Sequence, residues 1–389
     1  MAAILHSARV VSDGTETPDA WLRLADGRIA DRGTGRGWEA AAAPGDDVLD
    51  AREVAGEGAV VTPGFVDIHT HGAGGGAHDA GLDGIVAARA VHRAHGTTRA
   101  VVSLVTAGVE ELAHRVSEIA SLTAQDPEIL GSHLEGPFLD PGHHGAHDTT
   151  LLREPAPAVV ERLLRAGRLD GRPTVRQITL APELRGGLDA IRTAVRLGTA
   201  AAIGHTAADA RRTEEAILAG ATILTHAFNA MPGIHHREPG PIPVAARSPR
   251  VTLELIADGV HVHDDVVRLA FAAAPGRVAL ITDAMAATGM GDGAYRLGAL
   301  DVDVVGGVAR VRGTDTIAGS TLTQDAALRR AVGAGVPLPT AVDALTRVPA
   351  RAIGERGIGS LAVGSVADAV LLDAALAAVR GVWVAGRPI

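Results

Sequence analysis

The 389-residue sequence contains no cysteine, which excludes disulfides, thiolate nucleophiles and thiolate metal sites. It contains no lysine either: all 36 basic residues are arginine. Schiff-base chemistry, a phosphate-loop lysine and a lysine-derived carbamate ligand are excluded with it. Aromatic residues are scarce, with one Tyr, three Trp and four Phe, so a base-stacking platform for nucleic acid is not expected. The formal charge of −9 argues the same way, because affinity for nucleic acid rests largely on cations at phosphates. No apolar run approaches the roughly 18 residues that a membrane-crossing helix needs. Residues 1–13 also lack the basic flank and long apolar core of a signal peptide. No nucleic-acid or membrane partner is expected, and the cytoplasm is the expected compartment.

What is present is a large, mostly apolar chain. Hydrophobic residues make up 47% and charged residues 21%, enough for one big domain and a smaller one. The first sixty residues read as short strands and turns. Leu22 to Leu24 and Arg28 to Ala30 flank Asp26-Gly27, a tight-hairpin signal. The end of the chain repeats the style, with strands expected at 369–372 and 381–384. Two β-rich ends around a different middle predict that the termini meet in one small sheet domain, residues 1–61 plus 350–389. Between them, apolar and β-branched runs at 65–68, 99–105, 129–134, 175–180, 200–203, 222–225, 251–256 and 278–282 alternate with helical patterns. Those helical patterns include 82–95, 109–122, 207–219 and 264–273. Eight such alternations predict an α/β fold, a (β/α)8 TIM-like barrel over residues 62–349. The hairpin-like stretch 295–312 fits either part.

The unusual polar residues directly follow the strands, and in barrels of this kind the C-terminal strand ends carry the chemistry. His69 and His71, spaced i and i+2, leave one side of the first strand together. Glu135 follows the third strand, ahead of a Gly-Pro turn. His205 and His226, 21 residues apart, end the fifth and sixth. Asp283 ends the last. A single strand-end histidine is commonly a satisfied core residue, and Asp283 read alone is also a helix N-cap candidate. Six such groups on five strands are read together as ligands for a divalent cation, Asp283 binding it, serving as a base, or both. Arg237 suits a phosphate through its guanidinium fork; an exposed arginine paired with Glu238 is the equal alternative.

The motifs PGFVDIHTHG from Pro63, HLEGPF from His133, GHTAAD from Gly204, THAFNAM from Thr225, REPG from Arg237, ADGVHV from Ala257 and TDAMAATG from Thr282 carry a resemblance over essentially the whole chain. The sequence resembles the N-acetylglucosamine-6-phosphate deacetylase family of the amidohydrolase superfamily, which implies a (β/α)8 barrel with a small β-sandwich formed from both termini. The resemblance implies a metal shell of Glu135, His205 and His226, joined by His69 and His71 where two metals are bound. It implies Asp283 as general acid and base, and His147 as a group polarising the acetyl carbonyl, with His143 and His144 as neighbouring alternatives. Arg237 and the backbone of Asn229 and Ala230 then hold phosphate, and His261 holds the sugar. The cofactor implied is one or two divalent ions per subunit, zinc first, with iron, cobalt or manganese as alternatives. The implied partner is a phosphorylated N-acetyl amino sugar, and the implied assembly a homodimer. A deacetylase for the galactosamine epimer remains open, as does a metal-free scaffold that has lost catalysis. A relative using a carboxylated lysine is closed by the absence of lysine.

Overall fold

The computed structural model describes residues 2–389; Met1, first residue of the expected 1–61 segment, lies outside them. Eight strands run in sequence order around a parallel sheet: β1 (Phe65–Thr70), β2 (Thr97–Leu104), β3 (Ile129–Glu135), β4 (Val175–Leu180), β5 (Ala200–Ile203), β6 (Ile223–Leu224), β7 (Thr252–Ile256) and β8 (Val278–Ile281). Each is paired in parallel with the next. The ring closes beyond the strand ends, where the Asp283 N–H donates to His69 O (2.9 Å) and the His71 N–H to Ala284 O (2.7 Å). Helices follow the strands, among them Leu82–Ala94 after β1, Val109–Thr123 after β2 and Asp264–Ala273 after β7. This is the expected (β/α)8 barrel. Its strands are buried on both faces, which is why they read as nearly unbroken apolar runs.

Two elements are shorter than their sequence patterns, for local reasons. The helix expected from 207 starts at Ala210, because the Asp209 carboxylate caps it by accepting the Arg212 N–H (2.6 Å). Strand β6 keeps only Ile223 and Leu224, since the chain turns out of the ladder at His226, whose φ is +26°.

The terminal strands form a separate eight-stranded sheet. The long strand Ala3–Ser12 pairs with Thr15–Ala25 on one side; on the other it pairs first with Asp47–Asp50 and then with Val60–Pro63. Val60–Pro63 in turn pairs with Ala369–Leu372, which joins the two ends of the chain. The Asp26-Gly27 hairpin is present, with φ of +52° and +74° at its two turn residues, the mirror-image turn that a tight hairpin requires. The sheet's apolar core, including Leu22, Ile29, Leu371 and Trp383, is distinct from that of the barrel. The ambiguous stretch near 295–312 is a third sheet of Gly293–Leu297, Leu300–Val305 and Val308–Val311. Its Leu297, Val302 and Val304 pack on Val105 and Met285 at the barrel mouth, so it walls the site and does not join the terminal sheet.

Candidate metal centre

At the C-terminal ends of the strands, five imidazoles converge on one carboxylate. Glu135 Oε1 lies 3.3 Å from His69 Nε2, 3.2 Å from His205 Nε2 and 3.1 Å from His226 Nε2. Its Oε2 lies 3.1 Å from His71 Nε2 and 3.6 Å from His147 Nε2. Asp283 Oδ1 is 3.5 Å from His69 Nε2 and 3.3 Å from His71 Nε2. All seven side chains are buried. Glu135 therefore sits between two sets of donors, one with His69, His71 and Asp283 and one with His205 and His226.

The backbone that presents these groups is unusual. His205, His226 and Asp283 have φ of +46°, +26° and +50°, and Phe228 and Ala230 in the same loops have +81° and +49°. Left-handed backbone is uncommon for such residues and persists only where the surroundings over-determine it. Here the surroundings are close-packed. Gly145 (φ +55°) passes so near His205 that a Cβ there would lie 3.1 Å from the imidazole Cε1. The neighbouring His143 carbonyl accepts the His205 Nδ1–H at 2.9 Å, which leaves Nε2 free to face Glu135.

The titration behaviour reflects the close packing of imidazoles and carboxylates. Burial pulls the His71 imidazole down, yet the hydrogen bonds it donates to Asp283 and Glu135 push it up to about 9. His69 is likewise raised well above its ordinary range, burial being outweighed by Glu135 and Asp283. Burial pushes the carboxyls of Glu135 and Asp283 up, but the histidines hold Glu135 well below the carboxylate range and Asp283 at about 2. Positive charge is strongly favoured at this point. The donor spacing suits a metal ion as its source: neighbouring ligands about 2.0–2.1 Å from a tetrahedral cation sit about 3.3 Å apart, close to the 2.9–3.3 Å separations among His69, His71, His205, His226 and Glu135. With no thiolate available, such a nitrogen and oxygen set accepts several divalent ions.

His147 differs from the other imidazoles. The Thr106 N–H donates to its Nδ1 (3.3 Å), so the ring proton belongs on Nε2, facing the cavity. Burial holds its pKa at about 4, which keeps the ring neutral and a donor near neutral pH. Of the two alternatives, His143 lines the cavity with its Nδ1 on Asp140 (2.7 Å), while His144 Nδ1 bonds to the carbonyl of His147 (3.2 Å) and is not part of the wall.

The cavity holds about 460 Å3 and is lined by His71, Glu135, His147, His205, His226 and Asp283, together with Asn229, Ala230 and His261. His261 hydrogen-bonds Asp258 through Nδ1 at 2.7 Å; burial opposes its charge, but Asp258 raises its pKa. The Asn229 N–H is taken by His226 O (3.0 Å), and its side chain turns back to the same carbonyl (3.1 Å). Arg237 is the one expected site residue that the fold does not bring in: it is exposed and absent from the cavity wall, and its ion pair with Glu238 is not formed either. Leu297 of the barrel-mouth sheet, and Ile317 and Gly319 of the segment that follows the sheet, also line the wall. A larger hollow of about 710 Å3 at the opposite face is lined by strand starts such as Ala200 and Thr252 and by four arginines, with no histidine or carboxylate.

Several buried polar residues behind the cluster were not singled out from the sequence. Glu254 on β7, Asp67 on β1 and His133 on β3 are all fully buried. Asp67 accepts from Thr282 Oγ1 (2.5 Å) and tethers β1 to β8. Their signal was a charged or polar residue inside an otherwise apolar parallel strand.

The Amidohydrolase family profile matches residues 60–389, and the chain belongs to that family. Within it, the chain is 36% identical over 356 residues to the N-acetylglucosamine-6-phosphate deacetylase of Bos taurus, covering 86% of this chain and 82% of that one. It is 34% identical over 363 residues to the N-acetylgalactosamine-6-phosphate deacetylase of Escherichia coli O157:H7, covering 91% and 90%. A solved N-acetyl-D-glucosamine-6-phosphate deacetylase from Mycobacterium smegmatis superposes with a TM-score of 0.90 at 45% identity, over 100% of both chains.

Proposed function

We propose that this protein hydrolyses the acetamide of N-acetyl-D-glucosamine 6-phosphate, giving D-glucosamine 6-phosphate and acetate. The observation that carries the reading is the gathering of His69, His71, His205 and His226 round Glu135 within 3.1–3.3 Å, with Asp283 3.3–3.5 Å from His71 and His69, in a chain this similar to deacetylases of that substrate. A cavity of about 460 Å3 has the size of small-ligand sites, which run from roughly 300 to 1,000 Å3.

Glu135, His205 and His226 would hold one divalent ion, and His69 and His71 with Glu135 a second. Such an ion supplies Lewis acidity toward water and toward an amide oxygen. Asp283, ionised and at the rim of the cluster, takes the proton of the attacking water and returns it to the amine nitrogen as the C–N bond breaks. His147, neutral with its proton on Nε2, donates to the acetyl oxygen as charge develops there. His261 holds the sugar and the backbone N–H of Ala230 the phosphate, the N–H of its neighbour Asn229 being taken by His226 O, and Arg237 reaches the phosphate by movement of the loop that carries it. Zinc is the proposed ion, with iron, cobalt and manganese as substitutes. Residues 62–349 are the proposed catalytic unit, residues 1–61 with 350–389 the supporting sheet unit, a homodimer the proposed assembly and the cytoplasm the proposed compartment.

The test is acetate release from N-acetylglucosamine 6-phosphate by chelator-stripped protein, with and without added Zn2+. Release that needs the metal, and that is faster than from the galactosamine epimer, is expected. Metal-independent release, or none with either epimer, would overturn the reading.

A further inference from the structure

Glu254 is a carboxylate buried in the barrel wall at 0% exposure, and among the described residues no arginine pairs with it. Three N–H groups point at its side chain instead. Oε2 accepts from His69 Nδ1 at 3.1 Å, Oε1 accepts from the Gln177 side-chain amide at 2.7 Å, and the backbone N–H of His226 lies 3.4 Å from Oε2. An isolated buried anion is costly, and it is found where a cation or a full set of donors compensates it. The donors here lead to the candidate metal centre from both sides. One belongs to a side chain of the His69 and His71 pair, the other to the main chain of a residue of the His205 and His226 pair.

We propose that Glu254 is the positioning residue of the metal centre, acting through His69. By accepting the Nδ1 proton it fixes the tautomer in which His69 Nε2 carries a lone pair toward the cation, and it raises the basicity of that nitrogen. Its negative charge is spread to the cation through the imidazole, so the buried anion and the bound metal stabilise each other. This inference rests on the metal reading above.

Glu254→Gln is the informative change, because it keeps the volume and removes acceptor capacity. Glutamine offers one oxygen and one NH2 to three donors, so at least one N–H then faces an N–H, and His69 loses its enforced tautomer. Chelator-stripped full-length protein is titrated with Zn2+, and separately with Co2+ read by its visible absorption, while far-UV circular dichroism monitors the fold. The E254Q protein is expected to bind metal about 10–100-fold more weakly at the affected site. In a His69→Ala background the same change is expected to make no further difference. Wild-type-like binding by E254Q, or an equal loss with and without His69, would overturn the positioning role. Should E254Q not fold, Glu254→Asp carries the test in the same two backgrounds, with weaker binding only where His69 is present. Absence of metal binding by the wild-type protein would sink the metal reading itself, whereas normal wild-type binding with an unaffected E254Q sinks only the role of Glu254.

Discussion

The two ends of the cavity are built differently. At the reacting end, Glu135, the five imidazoles and Asp283 are buried and held by left-handed backbone and by partners behind them, such as His143 O and Glu254. At the anchoring end, Ile234 to Glu238 are exposed, and Arg237 stands outside the cavity wall. Groups that must face developing charge at the moment of reaction gain from being fixed beforehand, because no reorganisation is then needed. A phosphate anchor far from the reacting bond has only to be in place once substrate is bound, and a mobile arm can deliver it.

The largest effect is expected where the rigid end is touched. Replacing Asp283 by Asn, with metal content unchanged, should lower kcat by about 10²–10⁴-fold while KM stays within a few-fold. Steady-state kinetics on metal-quantified protein would show it; turnover within tenfold of wild type would remove Asp283 from the proton transfer. A smaller loss, of another kind, is expected at the exposed end. Arg237→Ala should raise KM for the phosphorylated substrate by about 10–100-fold, the worth of a charge-assisted hydrogen bond of about 1.5–3 kcal/mol, and leave kcat nearly unchanged. N-acetylglucosamine without phosphate should be indifferent to the change, and a parallel loss on both sugars would mean that Arg237 supports the loop and not the phosphate.

The smallest effect sharpens the electrostatic half of the contrast. In metal-free protein His71 titrates at about 9, up from 6.5. A raised pKa on folding stabilises the protein fully below 6.5, and the contribution fades as pH rises through 9. Thermal denaturation of the metal-free protein should therefore show falling stability from pH 6.5 to 9. With metal bound, ligand binding favours the deprotonated imidazole and apparent metal affinity rises over the same range. An identical pH profile with and without metal would mean that the cluster does not exchange protons for a cation.

Much of this was legible in the sequence. The eight apolar runs mark the eight strands, since a parallel strand buried on both faces has little choice of residue. His69, His71, Glu135, His205, His226 and Asp283 stand out because polar groups at strand ends break that rule. The supporting residues were harder to see. Glu254, Asp67 and His133 sit within strands and resemble isolated irregularities until their partners, on other strands, are known. The stretch 295–312 had no sequence mark of ownership, because its alternation suits any sheet; only its packing on Val105 and Met285 assigned it to the barrel mouth. The length of the 207–219 helix turned on one capping bond at Asp209.

By itself the sequence determined which chemistry was available: nitrogen and oxygen ligands only, no thiol, no lysine, and carboxylates and imidazoles placed after strands of fixed period. Tertiary structure decided which of those groups meet. Residues as far apart as His69 and Asp283 come within 3.5 Å because the last strand closes against the first. Arg237, only eleven residues from His226, lies on an exposed loop and stays outside the cavity wall. Local sequence sets the direction in which a side chain leaves its strand, but the distance between two side chains is set by everything packed between them.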